Sequence, residues 1–214
     1  MTRSHVLVLP GGGYSHHAPH EGEPIAAWLR GLGLDASVLL YPVKTRYPAA
    51  LQVIRAEIRR LRSTGIERVA LIGFSAGGHA AGLAALADGA AMDEGVDAVI
   101  LGYPVVSMLL ESHRGSREQL IGPDASTSLR VKTSLDQLVT ASAPPFFIWH
   151  TAEDASVPVQ HSYLLGMALA ADGVPHSLHV FPRGEHGIGL ATDRGTAAEW
   201  PALCEAWLRE LGWL

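Results

Sequence analysis

The pentapeptide Gly73-Phe74-Ser75-Ala76-Gly77 follows the apolar run Val69 to Ile72 and precedes a small-residue stretch from Gly78 to Leu86. A serine between two glycines at a strand-to-helix junction sits on a tight, strained turn that exposes its hydroxyl as a nucleophile. A side chain at position 73 or 77 would crowd that turn. Ala76 is small enough for its N–H, on the first turn of the helix, to face a bound anion. A serine attacks only when a base takes its proton and a carboxylate fixes the tautomer of that base. Two later loops supply these groups. Asp154 follows the strand ending at His150, and His186 lies in Gly184-Glu185-His186-Gly187, just past the strand ending at Phe181. Ser75, Asp154 and His186 are therefore read as nucleophile, acid and base, with Glu153 as the competing carboxylate.

Attack on a carbonyl by such a relay passes through a tetrahedral oxyanion, and each pre-placed donor to it is worth about 10²- to 10³-fold in rate. Pro10-Gly11-Gly12-Gly13-Tyr14, after the first strand, offers backbone amides with no side chains in the way. Gly12 and Gly13 are assigned to the oxyanion hole with Ala76, and Tyr14 is an alternative donor. A phosphate-binding loop is the competing reading of these glycines, but the G-x-G-x-x-G spacing and the P-loop lysine are absent.

The chain has eleven histidines, so His186 is chosen by position, flanked by glycines after a strand. His5, His113, His161, His176 and His179 are read as structural. His150 is expected to orient the acid loop. His79, next to the elbow, and Tyr14 are expected to contact the substrate. His16, His17 and His20 with Glu21 and Glu23 could be read as metal ligands, but no H-E-x-x-H or C-x-x-C pattern accompanies them. They are assigned to the pocket entrance, and no metal or other cofactor is expected.

Alternating strand and helix signals must position these groups. Val6 to Leu9 is a continuous apolar run ended by Pro10 and glycines, as in a strand buried on both faces. Further strands are expected at Ser37 to Tyr41, Val69 to Gly73, Ala98 to Leu101, Phe146 to His150 and Ser177 to Phe181. Helices are expected from Pro24 to Gly33 and from Pro48, where Leu51, Ile54, Ile58 and Leu61 form one stripe. Another carries Val159, Tyr163, Met167 and Leu169, and a closing one carries Trp200, Leu203, Cys204, Trp207, Leu208 and Leu211. The alternation predicts an α/β fold, a mostly parallel sheet of about six strands in three layers with helices on both faces. Ligands bind such folds at the carboxyl ends of the strands. Residues 107–142 are polar, with short helical pieces at Arg117 to Ile121 and Ser134 to Val139, and form either a surface excursion or a cap over the site.

Composition fits a single domain over 1–214. The chain has 214 residues, 48% hydrophobic and 17% charged, with a formal net charge of −5, enough to bury a sizeable core. Arg55, Arg59, Arg60 and Arg62 are read as the solvated face of a helix, which leaves no case for nucleic acid. Cys204 is the only cysteine, so no internal disulfide forms and a reducing compartment is expected. The five apolar residues near the N-terminus are too few for a signal-peptide core or a membrane span. The sequence thus points to the cytoplasm and to a small-molecule partner. Assembly into a homo-oligomer is compatible with it.

Taken together, Pro10-Gly11-Gly12-Gly13-Tyr14 with His20-Glu21-Gly22, Gly73 through His79, Gly102-Tyr103-Pro104-Val105, Pro144 to Phe147, His150 through Asp154 with Val157-Pro158, and Gly184 to Gly187 resemble the bacterial acetyl-esterase and xylan-esterase-like branch of the α/β-hydrolase superfamily. The order Ser, Asp, His is that of this superfamily, and the resemblance covers nearly the whole chain. It implies a serine carboxylesterase that removes short acyl groups, typically acetyl, from sugars such as xylo-oligosaccharides or from small alcohols, with Ser75, Asp154 and His186 at the family's catalytic positions. Two departures stand out. The chain begins almost at the strand before the glycine loop, so the leading strands of larger hydrolases are expected to be missing. Tyr41-Pro42-Val43 stands where relatives often carry an arginine after the tyrosine. A prolyl-oligopeptidase-like peptidase and a catalytically inactive binding module are the alternative readings.

Overall fold

The computed structural model describes residues 3–110 and 114–214; His113 lies outside them. The strands are β1 (Ser4–Leu9), β2 (Asp35–Val38), β3 (Arg68–Phe74), β4 (Ala98–Gly102), β5 (Phe146–Thr151) and β6 (His176–Phe181). They form one sheet of order β2-β1-β3-β4-β5-β6 in which every pairing is parallel. The helices are α1 (Glu23–Gly31), α2 (Ala49–Ser63), α3 (Ala76–Leu86), α4 (Arg114–Ile121), α5 (Thr127–Lys132), α6 (Gln160–Ala171) and α7 (Trp200–Glu210).

The apolar runs are buried on both sides because successive side chains of a strand point to opposite faces. Val6, Val8, Ile72, Ile100, Phe147 and Trp149 pack with α1 and α7, whereas Leu7, Leu9, Leu71, Leu101, Phe146 and Ile148 pack with α2, α3 and α6. Trp149 stacks on Trp200 with centroids 4.9 Å apart, which pins α7 beneath β5 and contributes about 1 kcal/mol beyond area burial. The chain moves outward from β1 to β2 in one direction and from β3 to β6 in the other. The reversal lies between β1 and β3, and a crevice opens there at the carboxyl ends of the strands. Those two ends carry the glycine loop and Ser75.

Several elements differ from the sequence reading. The second strand runs Asp35–Val38 rather than 37–41, because its register with β1 ends at Val8↔Val38. Tyr41 instead turns inward, and its hydroxyl donates to the Pro10 carbonyl at 2.7 Å. On α6, Tyr163 and Met167 are 43% and 70% exposed, and the inward face carries His161, Ser162 and Leu165. Those polar groups are buried because each has a partner: His161 Nδ1 accepts the Val106 N–H at 2.9 Å, and Ser162 Oγ lies 2.7 Å from His150 Nδ1. Arg55 is buried rather than solvated, its guanidinium donating to the carbonyls of Ala87 and Asp88.

Within 107–142, the piece at 117–121 belongs to α4. At 134–139 only one 3-10 turn forms, Leu135–Gln137. Helix α5 escaped the sequence reading although Ser126 caps it, its Oγ accepting the Leu129 N–H at 3.2 Å, a common start signal.

Candidate active site

Ser75 occupies the single residue between β3 and α3, with φ +52° and ψ −118°, a backbone conformation that an L-residue holds only when its surroundings impose it. Three hydrogen bonds do so. The Ser75 N–H donates to the Gly102 carbonyl at 3.0 Å, and its own carbonyl accepts from the N–H groups of His79 and Val105 at 3.0 and 3.2 Å. The turn also presses on the first strand. A Cβ on Gly77 would lie 2.1 Å from the Leu9 carbonyl oxygen and 2.5 Å from that of Pro10, so only glycine lets α3 start this close to the glycine loop.

The three groups from separate loops converge. His186 Nε2 lies 2.8 Å from Ser75 Oγ, and His186 Nδ1 lies 2.6 Å from Asp154 Oδ2. Asp154 is fixed from every side: Oδ1 accepts the N–H groups of Ser156 and Val157, each at 2.8 Å, and His150 Nε2 lies 3.2 Å from Oδ2. Burial pushes the Asp154 carboxyl up, but the hydrogen bonds from His150 and His186 and the charge of His186 outweigh it and hold the group well below the usual carboxylate range. Asp154 is thus an anion that keeps the proton of His186 on Nδ1 and leaves Nε2 to accept from Ser75, the arrangement a general base requires. Glu153, the competing acid, faces the Gly184 N–H instead, at 3.4 Å.

His150 Nε2 also lies 2.8 Å from the Val157 carbonyl. A carbonyl only accepts, so Nε2 carries a proton and His150 is a donor to the acid loop.

A cavity of about 410 Å³ opens over Ser75 and His186. Gly12 and Gly13 border it, together with Ser15, His16, His20 and Glu21 from the loop after β1, Ser156 from the acid loop, and Gly115, Ser116 and Gln119 from α4. Ala76 is buried at the start of α3. The side chains of Tyr14 and His79 are not at the cavity, which corrects the expectation that they contact substrate. Both are fully enclosed behind the glycine loop, where the Tyr14 hydroxyl meets His79 Nδ1 at 2.7 Å and His79 Nε2–H donates to the Thr133 carbonyl at 2.7 Å. Burial lowers His79 to about 4, against the opposing effect of the Thr133 carbonyl, so it is a neutral brace between the glycine loop and α5.

His20 Nε2 lies 3.8 Å from Glu21 Oε1, but His16, His17 and Glu23 do not join that pair as a ligand set. Among the described residues no three His, Cys, Asp or Glu side chains are placed to hold a metal ion. His20 Nε2 donates to the Gly187 carbonyl at 2.7 Å, joining the glycine-loop segment to the His186 loop. The sequence reading assigned no role to Tyr103. It follows β4, and its ring packs edge-on against His186 with centroids 5.0 Å apart. Its place in Gly102-Tyr103-Pro104-Val105, at a strand's carboxyl end, was the available signal.

Residues 41–169 match the family model described as BD-FAE. The chain is 34% identical to the endo-1,4-beta-xylanase B of Butyrivibrio fibrisolvens, an alignment covering 90% of this chain and 34% of that protein. It is 27% identical to the acetylxylan esterase of Xylanibacter ruminicola, over 87% of this chain and 41% of that protein. The chain therefore spans well under half the length of the curated relatives it matches. Among solved structures, the acetyl ester-xyloside bifunctional hydrolase from Caldicellulosiruptor lactoaceticus is similar with a TM-score of 0.93 and 39% identity, covering 99% of this chain and 84% of that one. The carboxylesterase Cest-2923 of Lactobacillus plantarum WCFS1 follows with a TM-score of 0.87 and 31% identity, covering 100% of this chain and 88% of that one.

Proposed function

The chain belongs to the BD-FAE family and has the α/β-hydrolase fold, and from that premise we propose that it is a serine carboxylesterase hydrolysing short-chain esters, acetyl foremost, of sugars or xylo-oligosaccharides. The observation that carries this reading is the Ser75–His186–Asp154 relay, with contacts of 2.8 and 2.6 Å, opening on a cavity edged by serine, histidine and glutamine side chains. Such a lining offers hydrogen bonds to a polyhydroxy alcohol, and 410 Å³ is the size of a small-ligand site.

In the first step His186 Nε2 takes the proton of Ser75 as its Oγ attacks the ester carbonyl. The resulting oxyanion is held by the amides of Gly12, Gly13 and Ala76. His186 returns the proton to the alcohol oxygen as the C–O bond breaks, leaving an acyl-enzyme. A water, deprotonated by His186, then attacks the acyl carbon and releases the acid and Ser75. Helix α4, from the polar segment after β4, acts as a cap by supplying one wall of the cavity. The chain works as one hydrolase domain on a small-molecule ester, without a cofactor, nucleic acid or membrane partner.

No helix of the described residues is long and apolar enough to cross a membrane. A cytoplasmic site of action is part of the proposal, supported by the lone free cysteine, Cys204. Neither the peptidase nor the inactive-module reading is favoured: all three relay groups are in contact, and the solved structures compared above are named as ester hydrolases.

A series of p-nitrophenyl esters from acetate to octanoate, run beside acetylated xylo-oligosaccharides, tests the assignment. Acetate is expected to be turned over fastest, with acetate released from the oligosaccharides. A preference for octanoate would overturn the short-acyl assignment and leave the relay intact.

A further inference from the structure

Glu21 is a buried carboxylate, 2% exposed, for which the acyl-transfer steps above have no use. Its nearest basic group is His20 Nε2, 3.8 Å from Oε1, and that nitrogen already donates to Gly187. Burying a carboxylate is costly unless donors are aimed at it. Here two are. Oε2 accepts the Gly11 N–H at 2.8 Å, and Oε1 accepts the Tyr103 O–H at 2.7 Å. Tyr103 in turn accepts the Gly189 N–H on its phenol oxygen at 2.8 Å. One carboxylate thus ties the glycine loop after β1 to the end of β4 and, through Tyr103, to the loop that carries His186.

The tie reaches the reacting groups. A Cβ on Gly11 would lie 2.5 Å from Glu21 Oε2, 2.8 Å from the Phe74 carbonyl oxygen and 3.0 Å from Ser75 Cβ, so the Gly11 peptide is wedged between Glu21 and the nucleophile. Turning Gly11 N–H toward Glu21 fixes that peptide plane and therefore the direction in which the following amides of Gly12 and Gly13 enter the cavity. Tyr103 sets its ring against His186 and its oxygen against Gly189, which holds the base loop in the same frame. The geometry points to Glu21 as the positioning residue that keeps the oxyanion amides and His186 in register across Ser75; this rests on the esterase reading proposed above.

A carboxylate is required because two donors converge on it. Glutamine offers one acceptor oxygen, and its NH₂ would face either the Gly11 N–H or the Tyr103 O–H. E21Q and Y103F, alone and combined, test the assignment by kcat and KM for p-nitrophenyl acetate, by the rate at which a fluorophosphonate labels Ser75, and by Tm. Labelling reads nucleophile and oxyanion hole without depending on which ester is preferred. E21Q is expected to lower kcat and the labelling rate together by about 10- to 100-fold, the worth of a hydrogen bond to a charged group. KM should stay within about twofold at a temperature well below the Tm. Y103F is expected to lose about tenfold, and the double variant no more than E21Q, because both act through one tie. If E21Q keeps kcat and labelling within about twofold of wild type, or shows only a lower Tm or a raised KM, Glu21 is no positioning residue. If the wild-type protein itself is not labelled, the serine-hydrolase reading falls and the proposal falls with it.

Discussion

His150 Nε2 lies 3.2 Å from Asp154 Oδ2, the same carboxylate oxygen that His186 Nδ1 engages at 2.6 Å. The acid of the relay is therefore held between two imidazoles, with its other oxygen taken by two backbone amides. Oriented this way it cannot rotate to offer His186 a poorer angle. Replacing His150 by phenylalanine keeps the ring volume and deletes the donor. His150→Phe is expected to lower kcat about 10- to 100-fold, the worth of a hydrogen bond to a charged group. A stopped assay well below the variant's Tm separates this from instability, and wild-type kcat would show that Asp154 needs no second imidazole.

Asp154→Asn leaves the shape of the acid loop but removes the charge that keeps the proton of His186 on Nδ1. Loss of the tautomer should lower kcat by about 10³- to 10⁴-fold, with KM little changed. Because Asp154 is held well below the usual carboxylate range, its own titration lies outside the working range. Its contribution to stability is present above the unfolded carboxyl pKa and is lost only as pH falls through the depressed native value.

His79 gives the fold a different pH dependence. Burial brings it down to about 4, whereas an unfolded histidine titrates near 6.5. Above about 6.5 both states are neutral and His79 adds no slope. Between about 6.5 and the native value the unfolded chain binds a proton that the folded chain refuses, so stability falls as pH falls. Below the native value both states are protonated and the slope ends. Urea unfolding at pH 7, 6 and 5 should show a slope in His79→Gln shallower by up to about one proton than in wild type. Equal slopes would mean that His79 takes its proton while folded.

Two glycines on α3 should respond unequally to one methyl group. At Gly77 the added Cβ meets the backbone oxygens of Leu9 and Pro10 at 2.1 and 2.5 Å, neither of which can move without shifting β1. At Gly82 it meets only the buried Leu135 side chain, 2.4 Å from Cδ1 and 3.1 and 3.2 Å from Cδ2 and Cγ, a side-chain end rather than backbone, and alanine regains about 1 kcal/mol of helix propensity. Gly77→Ala is expected to cost about 3 kcal/mol or more and Gly82→Ala about 1 kcal/mol or less, read from urea midpoints at constant m-value. Similar losses at the two positions would contradict the account of the elbow.

The sequence carried the central strands β1, β3, β4 and β5 because they are buried on both faces and stand out as apolar runs, whereas the edge strands β2 and β6 interleave polar residues and are only partly buried. It singled out Ser75, Asp154 and His186, which the fold brings together, because each sits just past the end of a strand. What it hid was the direction of side chains whose polarity is met by distant partners. Tyr163 and Met167 looked like the inward face of α6, yet His161 and Ser162 turn in because Val106 and His150 bind them. His79 and Tyr14 were read as substrate contacts, but each satisfies the other behind the glycine loop. Glu21 and Tyr103 are 82 positions apart, a pairing that no local pattern contains. Helix α5 was missed for a simpler reason: six residues are too few for a periodic stripe, and its serine cap was the sole signal.

Whether Ser75 is the nucleophile of an esterase is read from kcat/KM for p-nitrophenyl acetate in purified, folded Ser75→Ala. With the attacking oxygen gone, the relay and the oxyanion amides alone should leave a rate lower by about 10⁴-fold or more. Turnover within about tenfold of wild type would rule out Ser75 as the nucleophile, since hydrolysis would then proceed without the attacking oxygen.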